Sequence, residues 1–553
     1  SMSIIINTDG RRLLVKSPFT LKDTLKSVVG ARWDSSIRMW TYPFTFRSID
    51  YLAHALSDAG VVDIKYSPEV VAMYEGGDPY TEASEIKTST ELPNPPLCIG
   101  DDWLHQRRAF WWAEKLPAVL FDMWMGTGKT RVAINLTQNW CSKGNATVLI
   151  VAPSNVVPIW AEQIARHGVS EPEWDVCLLR SGVSTAKRAG LAKEHMEQKA
   201  PNKITAFVCN YEGVWQGALG EWVAKQNWDV VIADEIHHIK SPGSKVSKFM
   251  SKLTKKSARR IGLSGTPLHD GPLDIYGQAR FLVPEVFGTS FSNFRARYAT
   301  MGGYGGYQVT GYRNTEEYKD NYNSFTFTAG PEEALKHLPP IQYDRRVCEL
   351  SKEERKAYLE LEHQFATEVE GGLVTASNAL AKLLRLQQVT SGYATDINGR
   401  DVKLGTSKAK LLEEVMDEIH KDEPIVVFCR FKHDLAVVQE VSKKLGRKCY
   451  ELSGTKKELD DWRFDTGGEV LAVQLRAGGE GVPMYRAHYM IDYSLSFSLG
   501  EYQQSRARLQ RPEQTSQVIA IALCAEHTVD EKIFKALDKK ENIIKVILEG
   551  YKE

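Results

Sequence analysis

The chain lacks the features that would place it in several common protein classes. Its eight cysteines include no C-x-x-C pair, which argues against a zinc site or a disulfide framework and fits a reducing compartment. No apolar run approaches the ~18 residues of a membrane span, and no signal peptide opens the chain, so we expect a cytoplasmic protein with no membrane partner. Lys plus Arg number 70, and Asp plus Glu also number 70, so binding of a polyanion must use local patches of charge.

A recurring pattern of apolar stretches predicts the main fold. The 553 residues suffice for roughly three or four domains. Apolar runs at 118–121, 148–152, 206–209 and 230–233 alternate with helical patterns. This alternation predicts an α/β fold in which a parallel sheet carries helices on both faces. Ligands bind at the carboxyl ends of the strands in such sheets, so the turns after these runs are the candidate site.

The first of these turns has the pattern of a phosphate-binding loop. A strand, a glycine loop and a helix follow one another, and the glycines let backbone N–H groups surround an oxyanion. We expect Lys129 to contact the β- and γ-phosphates of ATP and the Thr130 hydroxyl to hold Mg²⁺. Met123 stands where the usual pattern has its first glycine. The predicted nucleotide contacts of this loop are Met125, Gly126, Thr127, Gly128, Lys129 and Thr130.

A second turn supplies two adjacent carboxylates. The apolar run at 230–233 ends in Asp234 and Glu235. Alternation along a strand points neighbouring side chains in different directions, which suits two separate tasks. We expect Asp234 to hold Mg²⁺ through its water shell and Glu235 to orient and deprotonate the attacking water. His237 follows without a set of metal ligands around it, so we expect it to link the nucleotide site to a second lobe.

Gln106 precedes the phosphate loop by about twenty residues. A glutamine amide can pair with N6 and N7 of adenine, so Gln106 is a candidate reader of the base. Without the motifs that follow it in the chain, a surface glutamine on a helix would be the favoured interpretation.

The N-terminal residues predict a small separate domain. Residues 1–66 have the pattern of a hairpin, a helix, a further strand and a last helix, which together form an α+β unit. Basic side chains alternate there with aromatic ones, which suits a nucleic-acid backbone and frayed bases, although a solvated face over an aromatic core is an equal alternative. Residues 67–97 are rich in Pro, Gly, Ser and Thr with poor apolar periodicity, and we interpret them as a linker.

Several motifs together resemble one known family. The sequence is similar to Swi/Snf-type double-stranded DNA translocases of helicase superfamily 2, through the stretches at 125–130, 234–237 and 264–267 and an aromatic insertion from 281 to 298. The stretch at 30–40 is similar to the HARP domain of annealing helicases. The resemblance implies two RecA-like lobes at 98–282 and 401–553, separated by a helical insertion region at 283–400.

The resemblance also implies site residues in the second lobe. Gln504, Arg508 and Arg511 match the family's Gln-x-x-x-Arg-x-x-Arg pattern, in which arginine forks neutralise charge on the γ-phosphoryl group. Without the first lobe, such a helix would be ordinary surface, and Arg506 falls off its face and is expected to be solvated. The loop at 476–481 implies backbone contacts to the nucleotide from Gly479 and Gly481.

Three functions remain open at this point. The leading one is a DNA-stimulated ATPase that translocates on double-stranded or forked DNA, mainly through backbone contacts, and remodels forks or anneals strands. The second is a strand-separating DNA or RNA helicase, and the third is a binding scaffold without catalysis. We expect a monomer. The sequence contains no chromatin-reader module and no long basic tail, which favours a bacterial or viral protein over a nuclear one.

Overall fold

A computed structural model describes residues 3–124, 126–330, 332–333, 336–372, 376–477, 482–538 and 549. The chain divides into two compact units, residues 1–333 and 334–553. Each unit contains one large sheet in which every strand pairing is parallel, and the first also carries a smaller sheet near its N-terminus. The prediction of two RecA-like α/β lobes is confirmed.

The N-terminal region is a five-stranded sheet with the strand order β3-β4-β2-β1-β5. The side chains of β1 alternate, so that Ile4 and Ile6 are buried while Ile5 is exposed. Trp40 and Tyr42 on β4 extend the same core. The elements are β1 (Ile4–Thr8), β2 (Arg12–Lys16), α1 (Lys22–Ser27), β3 (Arg32–Asp34), β4 (Met39–Pro43), α2 (Phe46–Asp58) and β5 (Ile64–Tyr66).

The segment predicted as a linker has more structure than its composition indicates. It contains α3 (Pro68–Glu75) and α4 (Pro79–Ala83). The Tyr80 hydroxyl is buried and donates a hydrogen bond to the Ala118 carbonyl oxygen at 2.6 Å. Lys87 donates to the carbonyl oxygens of Asn323 and Thr326. A few side chains therefore fasten this segment to the larger sheet, and so few contacts leave no periodic signal in the sequence.

The first large sheet has seven strands in the order β14-β6-β11-β10-β7-β9-β8. All seven residues of β7 and of β9 are buried, because helices cover both faces of the sheet. The elements up to residue 264 are α5 (Leu104–Ala113), β6 (Ala118–Met123), α6 (Lys129–Trp140), β7 (Ala146–Ala152), α7 (Val157–His167), β8 (Trp174–Leu179), α8 (Thr185–Glu197), β9 (Ile204–Asn210), α9 (Gly217–Lys225), β10 (Trp228–Asp234), α10 (Lys245–Leu253) and β11 (Ser257–Ser264).

The insertion that follows is helical in its first part but ends in a strand of the same sheet. Its aromatic side chains, including Phe287, Phe294 and Tyr318, pack on one another. The strand β14 then pairs in parallel with β6 and becomes an edge of the sheet. The elements are α11 (Ile275–Leu282), α12 (Pro284–Phe287), α13 (Phe291–Tyr298), β12 (Ala299–Gly302), β13 (Gln308–Tyr312), α14 (Thr315–Ser324) and β14 (Thr326–Ala329).

The second unit is built on a six-stranded sheet with the order β15-β22-β21-β18-β20-β19. Lys408 and Asp530, both buried, form an ion pair at 2.8 Å that ties α17 to α21. The elements are β15 (Gln342–Cys348), α15 (Lys352–Glu370), α16 (Ala376–Thr390), β16 (Tyr393–Thr395), β17 (Asp401–Lys403), α17 (Ser407–Glu418), β18 (Ile425–Cys429), α18 (Lys432–Lys444), β19 (Cys449–Leu452), α19 (Leu459–Arg463), β20 (Val470–Gln474), β21 (Tyr489–Asp492), α20 (Leu499–Ala507), β22 (Ile519–Ala525) and α21 (Val529–Asp538). In the part of the chain that is described, no helix has both the length and the apolar character that crossing a membrane requires.

Candidate nucleotide-binding site

The predicted phosphate loop lies between β6 and α6, as the sequence indicates. Gly126 and Gly128 have φ values of 82° and 83°, a left-handed conformation that glycine adopts without strain. Lys129 is the first residue of α6 and is 8% exposed, while Thr130 beside it is half-buried. Backbone N–H groups at this helix start are directed to bind an anion. Met125 lies outside the described residues.

Two side chains of α5 fix the loop from behind. The Gln106 amide donates to the Thr127 carbonyl oxygen at 3.1 Å, and its own oxygen accepts from the Trp103 backbone N–H at 2.9 Å. His105 Nε2 donates to the same Thr127 oxygen at 2.6 Å. A side chain at Gly128 would collide with the Gln106 amide, so a glycine is required there. Gln106 therefore holds the loop, and its contact with adenine stays a prediction.

The two carboxylates lie at the end of β10 and are almost fully buried, with Asp234 4% and Glu235 2% exposed. Asp234 accepts hydrogen bonds from Trp160 Nε1 and from the Glu235 backbone N–H, each at 2.9 Å. The Tyr211 hydroxyl donates to the Asp234 carbonyl oxygen at 2.6 Å. Glu235 has φ 48°, a left-handed conformation that is uncommon outside glycine. Such backbone strain occurs often at functional sites.

The charges around these carboxylates oppose one another. Burial and the neighbouring Glu235 raise the pKa of Asp234, Lys129 lowers it, and the net value is about 6. The Lys129 ammonium lies 3.6 Å from Glu235 Oε1. One lysine thus faces two carboxylates, and the site can accept additional positive charge.

His237 joins two of the predicted motifs. Its Nδ1 lies 3.0 Å from Ser264 Oγ and 3.6 Å from Glu235 Oε2. Thr266 N–H donates to the same Ser264 oxygen at 3.0 Å. Burial lowers the pKa of His237 to about 4, so the ring is neutral at physiological pH. Ser264 and Thr266 are therefore linked to the Glu235 carboxylate through one neutral imidazole.

In the second unit, the predicted arginines lie at the end of α20. Gln504 is within the helix, and Arg508, which is 4% exposed, follows its last residue. Arg511 lies 3.6 Å from the Glu513 carboxylate. Arg506 was predicted to be solvated, and this is wrong. Gly479 and Gly481 lie outside the described residues.

Arg506 is 5% exposed because it pairs with the buried Asp492 at the end of β21. Its Nη1 donates to Asp492 Oδ1 at 3.2 Å, and its guanidinium lies 3.5 Å from the centre of the Tyr502 ring. The helical spacing that places Arg506 off the face of Arg508 turns it towards the sheet instead of towards solvent.

The comparisons with known proteins identify the family. Residues 102–393, more than half of the chain, match the SNF2-related domain. The chain belongs to the SNF2-related family. Residues 407–513 match the helicase conserved C-terminal domain. A resemblance of residues 30–40 to the HARP domain stays a prediction.

Curated relatives of this SNF2-related chain have low sequence identity. The DNA annealing helicase and endonuclease ZRANB3 of Homo sapiens is 22% identical over 447 residues, which are 78% of this chain and 38% of the relative. Protein p41 of Acyrthosiphon pisum secondary endosymbiont phage 1 is 25% identical over 492 residues, which are 84% of this chain and 100% of the phage protein. This chain therefore spans about two-fifths of the length of ZRANB3.

A solved structure, the Sulfolobus solfataricus SWI2/SNF2 ATPase core in complex with dsDNA, matches with 20% identity and a TM-score of 0.39 over 84% of this chain and 96% of that chain.

Some site residues of this SNF2-related chain were not predicted from its sequence. His105, Trp160 and Tyr211 each contact the loop or Asp234 from elements distant along the chain. His105 adjoins the predicted Gln106, and that proximity is the only local signal. Trp160 and Tyr211 follow apolar strands, but neither position marks them as partners of Asp234.

Proposed function

We propose that the chain is an ATP-dependent DNA translocase, which hydrolyses ATP while it tracks on double-stranded or forked DNA. The observation that carries this proposal is the buried cluster of Lys129, Asp234 and Glu235 behind the glycine loop. A lysine and two carboxylates at the carboxyl ends of parallel strands of one sheet are what phosphoryl transfer to water needs, and here β6 and β10 supply them on either side of β11. Family membership adds DNA as the track.

In this proposal each side chain of the first unit has one task. Lys129 leaves its contact with Glu235 and binds the β- and γ-phosphates, and Glu235 then accepts the proton of the attacking water. Buried Glu235 is held close to Asp234, so its position needs little reorganisation. Backbone N–H groups after Gly126 and Gly128 bind phosphate oxygens.

The residues present fit a magnesium ion. Asp234 is an acid whose pKa is raised by burial and by Glu235, and a nearby cation would offset that repulsion. Both Asp234 oxygens already accept hydrogen bonds, which suits contact through water, while the Thr130 hydroxyl can bind directly. When bound, the ion would neutralise charge on the phosphate oxygens.

Arg508 and Arg511 are proposed to complete the site from the second unit, with Gln504 as a positioning residue. The support is their match to the family pattern and the value of arginine forks for phosphoryl transfer. Gln106, Gly479 and Gly481 remain proposed nucleotide contacts on the same grounds.

The type of DNA on which the chain acts, and the result of its translocation, are proposed from the relatives. ZRANB3 is named a DNA annealing helicase, and this supports annealing or fork remodelling as the result of translocation. We propose that the basic and aromatic N-terminal region contributes to DNA binding. The similarity to a phage protein supports a bacterial or phage origin. A cytoplasmic location and a monomeric state remain parts of the proposal.

One experiment tests the function. ATPase activity is measured with single-stranded, double-stranded and forked DNA at one stated salt concentration, because DNA affinity depends steeply on salt. We expect double-stranded or forked DNA to stimulate hydrolysis most. A displacement assay on tailed duplexes tests the alternative of a strand-separating helicase. Stimulation by none of the three DNA forms would refute the translocase.

A further inference from the structure

A cleft of about 430 Å³ lies between the N-terminal domain and the first lobe, and we name it the junction cleft. Both bodies contribute to its walls, with Arg32 and Phe44 from the N-terminal domain and Lys255 and Arg280 from the lobe. The two bodies touch around it. Arg11 donates a hydrogen bond to the Lys255 carbonyl oxygen, and the Thr289 hydroxyl donates to the Ala31 carbonyl oxygen at 3.5 Å.

The junction cleft is separate from the nucleotide site. Its lining includes Pro117, just before β6, and Ser257, the first residue of β11. Both residues mark the amino ends of parallel strands. The phosphate loop, Asp234 and Ser264 mark the carboxyl ends of the same sheet. The two sites therefore lie at opposite ends of the same strands. A ligand in the cleft does not compete with ATP.

Among the described residues, cations outnumber acids in the lining of the cleft. Among the described residues, Arg32 and Lys255 form no ion pair. Burial lowers the pKa of Lys255, and the nearby positive charges of Arg32 and Arg12 lower it further. Arg280 donates to the Pro242 carbonyl oxygen and to Ser247, yet its Nε is buried with no hydrogen-bond partner in the described part of the chain.

The other charged groups of the cleft are already engaged. Arg12 is paired with Asp9 at 3.0 Å and with Asp34 at 2.9 Å. Arg47 lies 3.9 Å from Asp78, which also lines the cleft. The remaining cations, Arg11 and Arg260, donate to backbone carbonyl oxygens. The remaining acid is Glu285, and burial raises its pKa. Like charges that converge in this way favour an anionic ligand.

Part of the remaining lining is aromatic, and serine and threonine residues make up much of the rest. Tyr42, Phe44, Phe46 and Phe325 all contribute to the aromatic part. A nucleotide matches both parts of the cleft. Its phosphate is charged, and its base offers an apolar face that stacks on aromatic side chains. A free phosphate ion would use only the cationic part.

We propose that the junction cleft binds a single-stranded segment of DNA, with phosphodiester oxygens on Arg32, Lys255 and Arg280 and a base against the aromatic wall. This proposal rests on the proposed function, because it assumes that the chain works on DNA. It adds that the single strand at a fork has its own site, outside the track on the duplex.

The test compares a cleft variant with a matched control. The cleft variant carries Arg32→Ala and Lys255→Ala, whose side chains lie at the surface of the cleft. The control carries Lys26→Ala and Lys193→Ala, which remove the same charge from exposed positions outside the lining. A conservative variant, Arg32→Lys with Lys255→Arg, keeps the charge. Thermal unfolding of each full chain verifies that the fold is intact.

Binding of a fluorescent oligothymidine is followed by anisotropy over a series of salt concentrations, without ATP. For the cleft variant we expect about tenfold weaker binding and a salt slope that is smaller by roughly 1.4, since each phosphate contact to a single strand contributes roughly 0.7. The control and the conservative variant should match the wild type. Pyrophosphate and a blunt duplex, used as competitors, distinguish free phosphate and duplex DNA from a single strand.

Equal binding by the cleft variant and the control would overturn the proposal. So would a cleft variant that loses affinity for pyrophosphate alone, because the cleft would then be a site for free phosphate. The outcome is distinguishable from failure of the translocase, since oligonucleotide binding is measured without hydrolysis and ATPase stimulation is measured with duplex DNA.

Discussion

Each lobe has a buried aspartate at the carboxyl end of an inner parallel strand, and the two aspartates have different partners. Asp234 ends β10 in the first sheet, and Asp492 ends β21 in the second; both are almost fully buried. Asp234 accepts from an indole and a backbone N–H and lies beside another carboxylate. Asp492 is paired with the guanidinium of Arg506.

The difference separates an acid held in an ion pair from an acid that the proposed mechanism can use. The ion pair with Arg506 neutralises the Asp492 carboxylate and holds α20 against the sheet. Asp234 has only neutral donors, and the nearest ammonium, on Lys129, is 3.6 Å from Glu235. Stability alone would favour a paired acid, so the arrangement in the first lobe is best explained by a ligand that brings positive charge.

The largest expected effect comes from removing the proposed chemistry of the first lobe. Lys129→Ala removes the phosphate contact and Glu235→Gln removes the base, so each should abolish DNA-stimulated ATP hydrolysis while folding stays intact. Steady-state hydrolysis and thermal unfolding measure the two properties. Full activity in either variant would show that the site is misassigned.

The next effect tests the arginines of the second lobe. Arg508→Ala and Arg511→Ala should each lower the rate of hydrolysis by roughly 10³ or more, because arginine forks stabilise charge that develops on the phosphoryl group. ATP binding should remain, since the first lobe supplies most of its contacts. The matched control is Arg400→Ala, which removes an exposed arginine from the turn between β16 and β17. Unchanged hydrolysis in both arginine variants would remove the second lobe from the catalytic site.

A smaller effect compares the two aspartates directly. Asp492→Asn leaves the buried Arg506 guanidinium unpaired and should lower the free energy of unfolding by about 3–5 kcal/mol. Asp234→Asn removes a buried carboxylate whose pKa is raised to about 6, so at pH 7 the free energy of unfolding should not fall and can rise by up to about 3 kcal/mol, while ATP hydrolysis is lost. Denaturant unfolding and ATPase assays of both variants give the four values. Equal losses of stability would erase the distinction between the lobes.

Much of the fold could be predicted from the sequence because parallel strands buried on both faces are continuous apolar runs. Residues 118–121 and 230–233 are examples, and both lie in buried strands as predicted. The strand at 326–329 escaped prediction, because two of its four residues are threonine and it is held by an edge pairing with β6.

The candidate site could be predicted only in part. Local patterns locate Lys129, Asp234 and Glu235, since each follows a strand. Long-range partners leave no such pattern: Trp160 reaches Asp234 from α7. Arg506 shows the same limit, because helical spacing gives its direction but cannot reveal the buried Asp492 in that direction.

The smallest effect separates a raised pKa from a catalytic role. Asp434 in the second lobe is fully buried, and burial raises its pKa to about 6, the value found for Asp234. Its carboxylate accepts from the Ser494 hydroxyl at 2.6 Å and from the Phe431 N–H at 3.2 Å. These bonds orient α18, so Asp434→Asn should leave ATP hydrolysis within about twofold of wild type.

The stability of that variant should depend on pH in a defined direction. The folded pKa of Asp434 is about 6 and the unfolded value is about 3.9, so the folded chain holds more protons between these values. The contribution of Asp434 to stability is therefore full below about pH 4 and is lost as pH rises to about 6. Relative to Asp434→Asn, the wild type should lose about 2 kcal/mol between pH 4.5 and pH 7, measured by urea unfolding at these two values. A difference that does not change with pH would contradict the raised pKa of Asp434, and lost hydrolysis would give Asp434 the role proposed for Asp234.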